Sequence, residues 1–488
     1  MQAVAGEQDA TTRRRVCFCI EALASSLAAT FREVGPAAWW PALVPAVLEL
    51  AGSDSTAIRE SGLFLIDKIA DATACSSQTD WLVAEAGGML GVISNNCLGE
   101  GPPVSTRVAA VRATASLIAA LNANDSSHLD GCAALLPMMI DVIVAALNGG
   151  DELEARESLQ SLAELARHAP RFFEGAIVDV AACMMTVANT EDLDVETRRA
   201  GCEVLVTIAE AAPGVLRRAE QVVTDFVTLS MQLMCQMDDD DDWVTDDYPE
   251  YAAEADAADA EDDTISGCGD GVLARITAAV GGRLVLPVAF GIIPELAGNA
   301  DWRQRCAAAR SVTAIAGGAT KQLQRELSKV LELVVPLTAD PHVRVRFAAV
   351  ECLAIIADDF GGRFQKYHMS AVLPAIVAAM SPGEGNCVRV CGHAASAVVN
   401  MLNPEHCELK HIAEGLMPLL EALFQLLNVD VRAVQEAVLE AVACAAKVAG
   451  EEFGAVRRGG GGGGGGGGGY VNHELNVNRN RGSGPRAH

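Results

Sequence analysis

Between residues 343 and 357, Val343, Phe347, Val350 and Ala354 recur at i, i+4, i+7 and i+11, which puts them on one face of an α-helix. Stretches of this kind follow one another along most of the chain, and many open on an arginine. They include "STAIRESGLFLIDKIA", "VSTRVAAVRATASLIAAL", "LEARESLQSLAELA", "VETRRAGCEVLVTIAE", "DWRQRCAAARSVTAIA", "HVRVRFAAVECLAIIA", "CVRVCGHAASAVVNML" and "DVRAVQEAVLEAVACAA". Aligned on Arg59, Arg107, Arg156, Arg198, Arg303, Arg344, Arg389 and Arg432, they are separated by 48, 49, 42, 105, 41, 45 and 43 residues. A second register runs through Pro45, Pro137, Pro287, Pro374 and Pro418, each 14 to 19 residues ahead of an arginine. Proline is tolerated in the first turn of a helix, where its missing N–H would be unpaired anyway. The spacing predicts a unit of two antiparallel helices, the second opened by proline.

A period in the low-to-mid forties falls in the HEAT or armadillo range. One amphipathic helix pair cannot bury its own stripe, so neighbours must stack into a continuous core. The expected fold is all-α: an α-solenoid of about nine or ten HEAT-type helix pairs. The one long gap is close to two repeats plus an insertion. It holds "MCQMDDDDDWVTDDYPEYAAEADAADAEDD" (234–263), with fourteen carboxylates and no Lys or Arg. The expected organisation is therefore a first solenoid half (1–237), an acidic disordered insertion (238–263), a second half (264–456) and a disordered tail (457–488) with eleven consecutive glycines.

Composition sharpens this picture. Aromatics make up 4 % and apolar residues 50 %, which suits helices packed through small side chains. The net charge is −28, and the acidic run supplies half of it. That charge opposes general nucleic-acid binding and favours basic protein partners. Fifteen irregularly spaced cysteines read as free thiols in a reducing compartment. "RRRVCFCIEALASSLAATF" imitates a signal peptide, but Glu21 breaks its apolar run. No uncharged run reaches the roughly 18 to 20 residues that span a bilayer, and no membrane insertion is expected.

The acidic run, then "GGRLVLP", "DWRQR" and "DPHVRVR" followed by "DDFGGRFQK", resemble the middle of a karyopherin-beta (importin-beta) nuclear transport receptor, most of all the importin-five or karyopherin beta-3 branch. The resemblance spans roughly 12–453 and is strongest over 237–380. It implies a monomeric, non-enzymatic receptor without cofactors that shuttles between cytoplasm and nucleus. Its implied partners are basic cargo such as ribosomal proteins and histones, Ran-GTP, and FG-repeat proteins of the nuclear pore. In that family such repeats occupy the interior of a longer superhelix, so repeats on both sides are expected to be missing here, the principal N-terminal Ran contact among them. A loop of the form "DDDDDW" contacts Ran or competes with basic cargo in the family, which maps onto Asp238, Asp239, Asp240, Asp241, Asp242 and Trp243.

Read from the residues alone, the run is either a solvated, solubilising loop or a partner contact. Its place inside the array and its aromatics favour contact, with Asp246 and Asp247 in the same segment. It matches no EF-hand loop. Trp302 reads as packing against a neighbouring repeat more readily than as a cargo platform, and Asn400 either reaches cargo backbone or packs its helix. Asp340 and Arg346 have the six-residue spacing of a structural Asp/Arg ladder between stacked repeats. Catalytic signals are weak. His406 and His411 stand at i, i+5 around Cys407, off a common helical face, and "GCGDG" (267–271) lacks the preceding strand of a dinucleotide site. The rival reading is a HEAT scaffold of the phosphatase-regulatory or tubulin-binding kind, without transport activity.

Overall fold

The computed structural model describes residues 2–30, 40–74, 80–122, 129, 131–239, 264–382 and 387–450. The glycine-rich tail and the acidic run from Asp240 onward lie outside the described residues. Helix α1 is Ala10–Thr30. The next four pairs are α2 (Leu43–Ala51) with α3 (Thr56–Ala74), α4 (Asp80–Asn96) with α5 (Val104–Asn122), α6 (Leu135–Gly149) with α7 (Glu152–His168), and α8 (Ile177–Asn189) with α9 (Val195–Ala211). A fifth pair joins α10 (Glu220–Met234) to α11 (Ile265–Val280), with the acidic run between its two helices. Helix α12 (Gly282–Ala297) pairs with the first half of α13 (Trp302–Val334), which breaks at Ala319 (φ −125°, ψ 21°). The second half of α13 pairs with α14 (Val343–Asp359); α15 (Met369–Ala379) with α16 (Val388–Met401) and α17 (Leu416–Leu426) with α18 (Arg432–Ala449) complete nine pairs among the described residues. No strand occurs among them. The chain is an all-α solenoid of HEAT-type pairs.

Second helices stack closely on the next second helix, α3 on α5 through to α16 on α18, while first helices touch their neighbours sparingly. The crowded layer is the inner one, and its helices are buried on both flanks. In α14 the expected stripe is buried at Val343, Val350 and Ala354, and Val345, Ala349, Cys352 and Ile356 are buried on the other flank. Phe347 is only half-buried and stacks on His393 of α16, ring centroids 4.4 Å apart. Such packing needs glycine where backbones approach: a Cβ on Gly62 of α3 would lie 2.3 Å from the Ala51 nitrogen. Val104–Asn122 and Pro170–Asn189 are long and apolar enough to cross a membrane by length and composition, and the first is mostly buried in the solenoid.

Two sequence readings need correction. The prolines lie in the first helix of each pair, not the second. Pro45, Pro137 and Pro418 are third in α2, α6 and α17, but Pro287 and Pro374 are sixth in α12 and α15, inside the helix. The arginines, moreover, are not one register. Arg59, Arg107 and Arg198 are fourth in their helices, whereas Arg303, Arg344 and Arg389 are second. Two residues are about 200° of helix rotation, so the second set faces away from the first. In α13 and α14 the fourth position belongs to Arg305 and Arg346. At four of the fourth positions the side chain donates to the carbonyl six residues back: Arg59 to Ser53, Arg305 to Asn299, Arg346 to Asp340, and Gln435 of α18 to Val429; Arg198 donates instead to Ala188, ten residues back. These bonds satisfy carbonyls in the turn between paired helices. In α11 the position is Cys268, which is why the gap of 105 residues shows no arginine for a helix that is present.

Candidate functional site: the edge where the acidic run emerges

Met237, Asp238 and Asp239 leave α10 and cross the N-terminal ends of α13 and α14. Asp301 caps α13, its carboxylate accepting from the Arg303 N–H at 3.0 Å. This sets Trp302 and Arg303 on the first turn. Asp340 does the same ahead of α14, accepting from the His342 N–H at 2.8 Å, which sets His342 and Arg344 on the next edge. The Trp302 and His342 rings then stack across repeats, centroids 3.8 Å apart and 6° from parallel. The Arg303 and Arg344 guanidinium groups lie over the indole at 4.8 and 5.7 Å.

The two arginines hold the start of the acidic run. Arg303 Nε donates to the Met237 carbonyl at 2.8 Å, and its Nη2 lies 3.8 Å from the Asp239 carboxylate. Arg344 Nη1 donates to the Asp238 carbonyl at 2.9 Å. Beneath them, Arg310 is paired with Asp270 at 2.7 Å, donates to the Ser266 hydroxyl at 3.0 Å, and lies 3.8 Å from the Met237 sulfur. Asp238 and Asp239 nevertheless remain exposed. Burial lowers the His342 pKa, with Asp239 opposing and Arg344 reinforcing that shift, so the imidazole is held toward its neutral, stacking form.

The structure brings together Asp238, Asp239, Trp302 and Asp340. Asp240, Asp241, Asp242, Trp243, Asp246 and Asp247 lie outside the described residues. Asn400 sits apart, exposed near the end of α16. Asp340 is buried and engages Arg305 of the preceding repeat in a fork, at 2.6 and 2.9 Å. Burial alone would raise its pKa, but Arg305 and the His342 N–H hold it below the ordinary range. Arg346 reaches the Asp340 main-chain oxygen, not its carboxylate. Sequence reasoning did not single out His342 for the site and treated Arg303 and Arg344 as structural. The available signal was a ring beside arginine at two successive helix starts, "DWR" and "HVR".

Elsewhere the inner face carries cross-repeat carboxylate contacts. Glu60 accepts from Ser105 and Thr106, Glu157 pairs with Arg112, and Arg275 bridges Glu203 and Glu210 at 2.6 and 2.7 Å. Glu154 has a raised pKa through burial and then through Glu157, Asp151 and Glu60, a sign of crowded negative charge. The motifs set aside as catalytic have structural places. "GCGDG" lies within α11, where Gly269 packs against Ser230 and Met234. His411 accepts from the Glu408 N–H through Nδ1. No cluster able to hold a metal occurs among the described residues.

Fold and edge together define a helical-repeat protein with a charged rim. Three family models match the chain: "IPO5-like, TPR repeats" over 8–183, "Importin repeat" over 189–287 and "HEAT repeat" over 330–360. Importin subunit beta-3 of Saccharomyces cerevisiae is 26 % identical over 415 residues, 85 % of this chain and 36 % of that protein. The probable importin-5 homolog of Dictyostelium discoideum is 21 % identical over 62 % of this chain and 27 % of its own length. Among solved structures, Kap121p aligns with TM-score 0.73 at 24 % identity, covering 85 % of this chain and 38 % of that one. Kap121p bound to Nup53p aligns with TM-score 0.76 at 23 %, covering 92 % and 41 %. The chain thus spans between 27 and 41 % of the length of these relatives. It belongs to the karyopherin-beta (importin-beta) family, on its importin-five side.

Proposed function

We propose that this chain is the cargo-handling part of a nuclear import receptor that binds Lys/Arg-rich segments of its cargo. The observation that carries the reading is the acidic run itself, emerging with exposed carboxylates on the edge of the inner helices of a karyopherin-beta solenoid. Closely spaced carboxylates raise the local concentration of cations and steer basic chains onto the edge, an effect screened over about 10 Å at 0.1 M salt. Kap121p has been crystallised with Pho4p, Ste12p and Nup53p, which supports the same kinds of partner here: cargo, and pore proteins with FG repeats. Release of cargo by Ran-GTP, and shuttling between cytoplasm and nucleus, are part of the same proposal and are supported by the likeness to importins. The protein works by binding alone.

The test is a pull-down at low salt with histone or ribosomal-protein tails as bait. Retention that is lost on raising the salt supports the reading; absence of retention at low salt overturns it.

A further inference from the structure

The contacts of the acidic run reach further than a solenoid normally allows. Each unit of such an array touches its immediate neighbours. Yet Arg344, in the seventh pair, donates to the carbonyl of Asp238, which leaves the fifth pair 106 residues earlier. Arg303 of the sixth pair holds Met237 and faces Asp239 on the way. Three successive pairs are thereby tied by one short strap of backbone. The groups that tie it are guanidinium groups beside the first carboxylates of an anionic run, the same chemistry that a basic ligand would bring.

We propose that Arg303 and Arg344 are built-in stand-ins for the basic ligand. They strap Met237–Asp239 across the starts of α13 and α14, and a Lys/Arg-rich ligand that takes the Asp239 carboxylate from Arg303 pulls the strap off them. Ligand binding and the coupling of the fifth to the seventh pair are then alternatives. An empty receptor is held in one curvature by its own arginines, and a loaded one is released from it. The coupling to ligand rests on the basic-cargo reading above; the strap does not.

Three features suit this role. The bonds to Met237 and Asp238 go to main-chain carbonyls, so they fix the path of the strap while leaving the carboxylates exposed. The Arg303–Asp239 contact, at 3.8 Å with Asp239 mostly exposed, is of the weak surface kind that a multivalent basic chain outcompetes. The stacked Trp302 and His342 rings form a flat bed on which both guanidinium groups rest, so the arginines keep a seat when the strap leaves.

The test uses the full chain and its R303Q/R344Q variant. Hydrogen exchange is followed by mass spectrometry over residues 232–239, and a ten-residue Lys/Arg peptide is titrated at low salt. Without peptide, exchange at Cys235 and Gln236, whose N–H groups close the last turn of α10 on Gln232 and Leu233 just ahead of the strapped carbonyls, is expected to be several-fold faster in the variant; equal exchange overturns the strap. The variant is expected to bind the peptide about fivefold more tightly, the equivalent of one exposed ion-pair competitor removed. Faster exchange with equal or weaker peptide binding overturns the stand-in role. Failure of both proteins to bind the peptide overturns the basic-cargo reading and the stand-in role with it, while exchange still decides the strap. If the double variant loses helicity by circular dichroism, R344Q alone is measured, with the same directions expected.

Discussion

Two arginines two residues apart do opposite work at the start of α13. Arg305 turns inward, engages Asp340 of the next pair and closes its own turn through the Asn299 carbonyl. Arg303 turns outward and holds the acidic run. Asp340 of the fork is buried and Arg305 half-buried, so removing the carboxylate leaves the guanidinium without its partner in a poorly solvated place. Asp340→Asn is expected to destabilise the chain by about 3 kcal/mol, read from denaturant melts; a loss below 1 kcal/mol would contradict the geometry. Because Asp340 is depressed, its contribution is present at neutral pH and is lost as pH falls through its folded value. His393 acts in the same direction by another cause. Burial pushes it down to about 4 from 6.5, and its Nε2 is buried without a hydrogen bond. The unfolded chain therefore binds the proton first, and stability present above pH 6.5 falls as pH drops toward 4. His393→Phe, which keeps the stack on Phe347, is expected to flatten the pH dependence of Tm across that window. An unchanged slope would show that His393 does not supply it.

At the level of helices, period and amphipathicity were enough to read the architecture, because a repeat presents the same pattern many times. Finer assignments failed for physical reasons. Arg303 and Arg305 both lie in "DWRQR", and spacing alone does not say which one faces the turn; only the helix start at Trp302 decides it. The fifth pair was legible only as part of the gap of 105 residues, because Cys268 stands where arginine does elsewhere. Asp238, Asp239 and Trp302 were legible as candidates from charge and aromaticity. Their meeting with His342 and Arg344 was not, since it depends on how the sixth and seventh pairs stack. Stacking itself is testable at a glycine. Gly62→Ala forces a Cβ onto the Ala51 backbone and is expected to cost about 2 kcal/mol. Gly91→Ala, which meets nothing within 4 Å in α4, is expected to stabilise by up to about 1 kcal/mol through helix propensity. Equal melting shifts for the two variants would contradict the packing of α3 on α2.

For the whole molecule, the proposal of a basic partner rests on a net charge of −28 carried by a solenoid of stacked pairs. Much of the inner carboxylate set is already engaged across repeats, by Arg112, Arg275 and the hydroxyls of Ser105 and Thr106. The acidic run is the most concentrated charge in the sequence, and on the proposed function its loss is expected to be felt more than that of any single glutamate. The direct measurement is the affinity of a Lys/Arg-rich peptide across a salt series, for the chain and for a variant with Asp238 to Asp242 replaced by serine. The account predicts affinity that weakens steadily with salt, and a variant at least tenfold weaker at low salt with a shallower salt slope, since five carboxylates are removed. Equal affinities and slopes for the two proteins would contradict it.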